Sequence, residues 1–165
     1  MYSVGIIMGS QSDFDIVAKA IDVLKDFDVD IEARVLSAHR TPTEAADYAK
    51  TAKDRGIGVL IAAAGKAAHL PGVLAAYTTL PVIGLPIKSS FMDGLDSLLS
   101  MVQMPKGVPV ATVAVNGAEN AALLAVQILA LGDTILADKL TAYKQDMGKG
   151  VAKQDKAVQK ELGGK

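Results

Sequence analysis

The chain has 165 residues, of which 50% are apolar, 17 are basic and 18 are acidic, and it contains two histidines and no cysteine. Its length predicts one domain, and the lack of cysteine excludes a disulfide framework, a thiol nucleophile and a cysteine-ligated metal site. A formal net charge of −1, without a basic block in the body of the chain, argues against a nucleic-acid-binding protein.

The first predicted strand, Val4 to Met8, is a short apolar run that ends in the turn Gly9-Ser10-Gln11-Ser12-Asp13. Ser12 or Asp13 can cap the helix that follows, and Gly9 lets the backbone come close to a ligand. The free N–H groups at the helix start point to the same place, which suits a phosphate group. Capping alone would also explain the two polar side chains. Helical spacing after the turn is shown by Phe14, Val17, Ala18, Ile21 and Leu24.

The second predicted strand, Ile31 to Leu36, leads into Ser37-Ala38-His39-Arg40-Thr41-Pro42. A helix is expected from Thr43 to about Arg55, with Thr41 as its N-cap and Pro42 at its first position. The second turn therefore stands at the carboxyl end of a strand, which is where open parallel sheets bind ligands.

Three side chains of this turn carry chemistry: the Ser37 hydroxyl, the His39 imidazole and the Arg40 guanidinium. A histidine can give or take a proton near neutral pH, and an arginine presents a planar fork that fits phosphate or carboxylate. The alternative from these residues alone is structural, with His39 as a hydrogen-bonded turn residue and Arg40 as a solvated charge.

The third predicted strand, Val59 to Ala64, is continuously apolar, as expected of a central parallel strand covered on both faces. It runs into Gly65-Lys66-Ala67-Ala68-His69-Leu70-Pro71-Gly72, where small residues allow close backbone approach. His69 would then lie on the same rim of the sheet as His39, that is, at the carboxyl ends of the parallel strands. A lone histidine near an apolar helix is, however, more often structural than catalytic.

The second half of the chain repeats the strand and helix pattern. The expected elements are a strand over Pro81 to Leu85, a helix from about Asp93 to Val102, a strand over Val110 to Val115, a helix over Asn120 to Leu131 and a helix from Asp133 to about Met147. Gly148 to Gly150 interrupts the last helix, and the lysine-rich remainder is expected to be a solvated helix or a disordered end. We expect one α/β catalytic domain over residues 1–147, including the C-terminal helix, and a polar tail over 148–165.

Five strands that alternate with helices through short turns predict an α/β fold of one domain. The expected architecture is a doubly wound, five-stranded parallel sheet of the flavodoxin-like kind, in three layers, αβα. The mean hydropathy of +0.30 is high, and we attribute it to buried strands and to helix faces in oligomer contacts, because the apolar runs are too short for a membrane helix of about 20 residues. The first residues carry no export signal, so cytoplasm is expected.

Five segments stand out together, and in this order along the chain: Met8–Asp13, Ser37–Pro42, Ala67–Gly72, Ser97–Pro105 and Asn120–Ala125. They resemble the signature segments of the N5-carboxyaminoimidazole ribonucleotide mutase family of purine biosynthesis, and cover the chain from about Val4 to Ala130. The resemblance implies an isomerase that moves a carboxyl group from the exocyclic amine to ring carbon four of an aminoimidazole ribonucleotide. Decarboxylation and recarboxylation would occur in a closed pocket, without metal or organic cofactor, in a homo-octamer with sites between subunits.

The resemblance also implies roles for individual residues. His39 matches the catalytic histidine, acting as general acid and then base, and His69 would lie near the migrating carboxylate. Asp13 suits ribose hydroxyls better than phosphate, because a carboxylate repels an anion. Lys66 stands where the family usually has glycine or an apolar residue, and could contact carboxylate, a neighbouring subunit or water. The residues expected to bind substrate are Gly9, Ser10, Ser12, Asp13, Ser37, Arg40, Ala64 and Gly65.

Two alternative functions share this fold. The nearest is an aminoimidazole ribonucleotide carboxylase of the same fold that uses free carbon dioxide, although Ala67–Gly72 looks like the mutase class. The other is a non-catalytic flavodoxin-like module. A receiver would need acidic residues after the first strand and an aspartate ending the third, whereas this chain has Met8-Gly9-Ser10 and Ala64-Gly65; a flavin module would need aromatic residues, which make up only 4% of the chain.

Overall fold

The computed structural model describes residues 2–163, which form a five-stranded sheet with helices on both faces. Three short 3-10 turns, Gln11–Asp13, Lys53–Arg55 and Met92–Gly94, accompany the main elements. In chain order these elements are β1 Ser3–Met8, α1 Phe14–Asp26, β2 Ile31–Val35, α2 Pro42–Thr51, β3 Ile57–Gly65, α3 Leu70–Tyr77, β4 Val82–Ile87, α4 Leu95–Val102, β5 Ala111–Thr112, α5 Ala118–Ala130 and α6 Thr134–Glu161.

All neighbouring strands are parallel, and their order across the sheet is β2-β1-β3-β4-β5. In register, Gly5 of β1 lies opposite Leu60 of β3, which in turn lies opposite Val82 of β4. This order is that of flavodoxin-like folds, and it confirms the predicted doubly wound sheet. Because the strands are parallel, the turns that follow β1, β2, β3 and β4 all lie at the same end of the sheet, where the carboxyl ends of the strands meet.

The sheet separates two apolar cores, so the three predicted layers are confirmed. Helices α1, α5 and α6 cover one face, where Ile61 of β3 packs with Leu24 and Leu136. Helices α2, α3 and α4 cover the other face, where the adjacent Leu60 packs with Leu74. Successive residues of β3 thus enter opposite cores, since side chains alternate along a strand, and this explains why the strand is apolar without interruption.

The last strand is shorter than the sequence predicts. β5 has two residues, Ala111–Thr112, where the apolar pattern predicted Val110 to Val115. It pairs only with β4 and lies at the sheet edge, and it begins two residues after Pro109, which has no N–H to donate to a ladder. Beyond β5 the chain still bonds to β4, because Asn116 N donates to Pro86 O at 2.8 Å.

The C-terminal helix is longer than predicted. α6 continues through Gly148 and Gly150 to Glu161, and residues 141–163 are exposed. The predicted interruption is therefore wrong: glycine costs only about 1 kcal/mol relative to alanine in an exposed helix, and good helix formers surround both glycines. The remainder forms the solvated helix that was one of two alternatives; Gly164 and Lys165 lie outside the described residues. The division between 1–147 and 148–165 stays a prediction.

Among the helices within residues 2–163, none combines the length and apolar character that crossing a bilayer requires.

Candidate active site

A cavity of about 510 Å³ lies at the carboxyl ends of β1, β2, β3 and β4. Its size suits a small-molecule ligand such as a nucleotide, since such sites commonly measure about 300–1,000 Å³. All eight residues expected to bind substrate line it, and so does His39. The full lining consists of Gly9, Ser10, Ser12, Asp13, Ser37, Ala38, His39, Arg40, Ala64, Gly65, Lys66, Ala67, Leu70, Ile87, Lys88 and Ser89.

The first turn, Gly9–Asp13, is organised by the side chain of Ser10, which was not a predicted cap. Ser10 has an extended backbone, and its Oγ accepts from Ser12 N at 3.3 Å and from Ser12 Oγ at 2.9 Å. Asp13 precedes α1 but makes no capping hydrogen bond. The expected cap at Ser12 or Asp13 is therefore wrong, because a 3-10 turn comes first and moves the capping position two or three residues earlier.

The Asp13 side chain is left free to serve the cavity. Only 8% of the residue is exposed, and burial raises the pKa of its carboxyl because the charged form loses water. Hydrogen bonds from the Ser12 hydroxyl, at 3.4 Å, and from the Ser10 backbone partly oppose that shift. A carboxylate with few protein donors can accept hydrogen bonds from a hydroxylated ligand.

The second turn, Ser37–Thr41, is tied to itself and to the first turn. Thr41 occupies the predicted N-cap position of α2, with Pro42 next, but its Oγ1 accepts from Ser37 N at 2.9 Å instead of capping the helix. Arg40 N donates to Ser37 Oγ at 3.2 Å, and Arg40 Nη2 donates to Gly9 O at 3.1 Å. The guanidinium therefore lies across the gap between the ends of β1 and β2, with donors left over for an anionic ligand.

The two histidines of the chain are in direct contact. His39 Nε2 lies 3.0 Å from His69 Nδ1, and the rings are nearly perpendicular, at 88°. Such a contact requires one facing nitrogen to donate and the other to accept. His39 lines the cavity and His69 does not, but the structure brings the two residues expected to be catalytic into contact.

The third turn, Lys66–His69, explains how His69 reaches this position. Ala68 N donates to Lys66 O at 2.8 Å and His69 N donates to Ala67 O at 2.9 Å, so two tight turns follow each other directly after β3. Lys66 adopts a left-handed backbone with φ of +57°. The chain then enters α3 at Leu70, with His69 as the residue before the helix.

Residues after β4 also line the cavity, although no motif in their sequence indicated a role. These are Lys88 and Ser89, which follow Ile87. Lys88 N donates to Asn116 Oδ1 at 2.9 Å, and Lys88 Nζ pairs with Asp93 Oδ1 at 3.0 Å. Their place in the site could have been predicted, because β4 is a parallel strand and open parallel sheets bind ligands at the carboxyl ends of their strands.

No group of three or more histidine, aspartate or glutamate side chains within residues 2–163 is arranged to hold a metal ion. The polar groups of the cavity are instead hydroxyls, imidazole, cations and one carboxylate.

Comparisons with known proteins agree with the geometry. Residues 3–150 match the family described as AIR carboxylase. The N5-carboxyaminoimidazole ribonucleotide mutase of Pyrococcus abyssi is 60% identical over 147 residues, 89% of this chain and 84% of that protein. The enzyme of the same name from Saccharolobus solfataricus is 58% identical, over 89% of this chain and 93% of its own.

The fold is also that of a solved relative. The crystal structure of Treponema denticola PurE superposes with a TM-score of 0.86 at 28% identity, covering 96% of this chain and 99% of that one. The resemblance found in the five sequence segments is thus confirmed: the chain belongs to the AIR carboxylase family, in the group of the N5-carboxyaminoimidazole ribonucleotide mutases.

Proposed function

We propose that this protein is an isomerase that converts N5-carboxyaminoimidazole ribonucleotide into 4-carboxy-5-aminoimidazole ribonucleotide. The observation that carries the proposal is the contact of 3.0 Å between His39 and His69, at the edge of a cavity that also offers an anion-binding arginine. The high identity to enzymes named for this reaction supports it.

The cavity has a suitable group for each part of this substrate. The backbone of the first turn and the Arg40 guanidinium suit the phosphate. Asp13, which is largely buried and has only weak protein donors, suits the ribose hydroxyls. The small residues Ala64 and Gly65 leave room for the aminoimidazole ring close to His39.

The chemistry needs one group that donates a proton and later accepts one. In the first step, His39 protonates the carbamate nitrogen, the nitrogen–carbon bond breaks, and its electron pair stays on nitrogen as carbon dioxide leaves. In the second, ring carbon four attacks carbon dioxide and forms the new carbon–carbon bond. His39 then removes the proton from that ring carbon, which restores the aromatic ring. No net proton is consumed, and general acid–base catalysis of this kind contributes about 10²- to 10⁴-fold.

His69 is proposed to position His39 in both steps. Its Nδ1 contacts Nε2 of His39, so it fixes the orientation of the His39 ring and determines which His39 nitrogen carries a proton. This is the usual role of a second polar group behind a catalytic histidine.

Retention of carbon dioxide requires a cover that one chain does not supply. His39 and His69 are both exposed in the isolated protomer, whereas a small neutral gas must be held until ring carbon four attacks it. We therefore propose a homo-octamer with active sites between subunits. Helix α4 supports this, because Leu95, Leu99 and Val102 form an apolar face in which each residue is about 39–48% exposed. A phosphorylated substrate does not cross membranes unaided, and we propose that the enzyme works in the cytoplasm, where such nucleotides are made.

The carboxylase alternative, which would use free carbon dioxide, is less well supported, because the relatives named above are mutases. The test is to follow product absorbance from freshly made carbamate substrate without added bicarbonate, for the wild type and for His39→Asn. Rapid conversion by the wild type and near-complete loss in the variant are expected. Product formed only from aminoimidazole ribonucleotide and bicarbonate would establish the carboxylase instead.

A further inference from the structure

Among the cations that line the cavity, Lys66 alone makes no hydrogen bond or ion pair with the described residues. The lining contains Arg40, Lys66 and Lys88 but only one carboxylate, that of Asp13. Arg40 donates to Gly9 O, and Lys88 pairs with Asp93. Within residues 2–163 the Lys66 ammonium makes neither a hydrogen bond nor an ion pair, so it is available to a ligand.

The backbone at Lys66 is strained. Lys66 has φ of +57°, a left-handed conformation that glycine adopts freely and that side chains with a Cβ adopt with strain. The hydrogen bond from Ala68 N to Lys66 O, 2.8 Å long, holds it there. Strain of this sort persists where the surrounding structure over-determines it, and it concentrates at functional sites.

The position of Lys66 along the rim indicates which anionic group it meets. The third turn runs from Lys66 to His69, whose ring contacts His39, so the lysine belongs to the part of the rim that carries the acid–base pair. Arg40 and the first turn already serve the phosphate at the ends of β1 and β2. The carboxyl group that breaks from nitrogen must lie beside the histidine that protonates that nitrogen.

We propose that Lys66 binds the carboxylate of the substrate and of the product through its ammonium group. This assignment rests on the proposed function, since it needs a substrate with a carboxylate at one end and a phosphate at the other. Substrate and product both carry the carboxylate, whereas released carbon dioxide is neutral. The ammonium therefore stabilises the two ground states more than the intermediate between them, and it contributes to affinity without accelerating the chemical step.

The experiment compares two ligands that differ only in the carboxylate. The affinities of carboxyaminoimidazole ribonucleotide and of aminoimidazole ribonucleotide, which has no carboxylate, are measured by calorimetry for the wild type and for Lys66→Met. We expect the variant to bind the carboxylated nucleotide about tenfold more weakly, as for loss of a hydrogen bond between charged groups, and to bind the other nucleotide with unchanged affinity. In turnover, KM for the carbamate substrate should rise by a similar factor while kcat stays constant or increases.

Three further variants separate the charge from the fold. Lys66→Arg retains a cation and should restore most of the affinity. Lys66→Gly should lose the affinity as Lys66→Met does, yet melt at a higher temperature than Lys66→Met, because glycine relieves the left-handed strain. Lys19→Met removes an exposed lysine of α1 outside the cavity, and should change neither affinity.

Each other outcome contradicts the proposal in a recognisable way. Equal weakening of both nucleotides by Lys66→Met would place Lys66 on the phosphate, and unchanged affinity for both would place it in solvent. A wild type that binds neither nucleotide would overturn the proposed function itself, and the assignment of Lys66 with it.

Discussion

His39 Nε2 lies 3.0 Å from His69 Nδ1, although 30 residues separate them in the chain. The contact arises because the turns after β2 and β3 meet at one edge of the sheet, and it holds the two rings nearly perpendicular. Of the two histidines, His39 lines the cavity and His69 does not. The two histidines are therefore expected to differ in their importance for catalysis, even though they form one hydrogen-bonded pair.

Replacement of His69 should be milder than replacement of His39. We expect His39→Asn to lower kcat by about 10²- to 10⁴-fold, since it removes the proton-transfer group. His69→Asn should lower kcat by about 10- to 100-fold with KM little changed, because the acid–base group remains but its orientation is lost.

The double variant provides the control for that comparison. If the histidines act as one unit, it should be no worse than His39→Asn alone. Losses that multiply in the double variant, or a His69→Asn enzyme as inactive as His39→Asn, would give His69 a separate chemical task and contradict the positioning role.

Arg40→Met should weaken recognition of the phosphate. The wild type is expected to bind aminoimidazole ribonucleotide much more tightly than the corresponding nucleoside, and the variant should lose about 100-fold of that preference, as for a charge-assisted contact. Calorimetry with both ligands measures it. A variant with unchanged preference would place the phosphate elsewhere on the rim. Because Arg40 also donates to Gly9 O, circular dichroism should first establish that the variant is folded.

Asp13→Asn should stabilise the folded protein and weaken its binding of the nucleotide. Burial raises the pKa of Asp13 above its ordinary value of 3.8, so between the unfolded and folded pKa values the native state holds a proton that the unfolded state has released. The free energy of unfolding therefore falls as the pH rises through that window, and the buried charge destabilises the protein fully above it. The stabilisation by asparagine should be small near pH 3.5 and largest at neutral pH.

Urea denaturation of both proteins over that pH range checks the expectation. KM for the nucleotide should rise about tenfold in the variant, because asparagine offers a weaker acceptor to the ribose hydroxyls. A stabilisation that is the same at every pH would show that the effect does not come from the charge.

Removal of residues 148–165 should leave the catalytic domain intact. The described part of this segment, 148–163, is exposed throughout, whereas the start of α6 is anchored by Asp133, which caps it, and by Lys139, which pairs with Asp28. A chain ending at Met147 should keep its kcat and melt within about 2 °C of the full chain, as for changes at a free surface. A large drop in melting temperature, or loss of the oligomer in light scattering, would assign the segment to the assembly.

The strands and helices that follow from the periodicity of apolar residues were predictable. The lengths of β5 and α6, which depend on small energetic differences, were not. The unbroken apolar run of β3 indicated a buried parallel strand, and parallel strands necessarily bring their turns to one edge. The length of β5 was not predictable, because an edge position decides how much of an apolar run forms a ladder. The path of α6 through Gly148 and Gly150 depended on a small energetic balance along an exposed helix.

The site shows the same division. The residue types of the first two turns indicated phosphate and proton chemistry, and the structure places them around one cavity. The contact between His39 and His69 was not predictable, because it depends on the tight turns between Lys66 and His69. Capping by Ser10 was missed because a 3-10 turn precedes α1, and Lys88 was missed because its strand ends in residues without an obvious motif.

The central claim is that the carboxyl group is transferred within one closed site by His39. It is tested most directly by giving the enzyme carbamate substrate labelled with ¹³C in its carboxyl group, in an excess of unlabelled bicarbonate, and measuring the label in the product by mass spectrometry. Retention of nearly all the label by the wild type, together with loss of conversion in His39→Asn, is the result we predict. Product that carries the isotope ratio of the solvent bicarbonate would show that free carbon dioxide is the substrate, and would contradict the mutase mechanism.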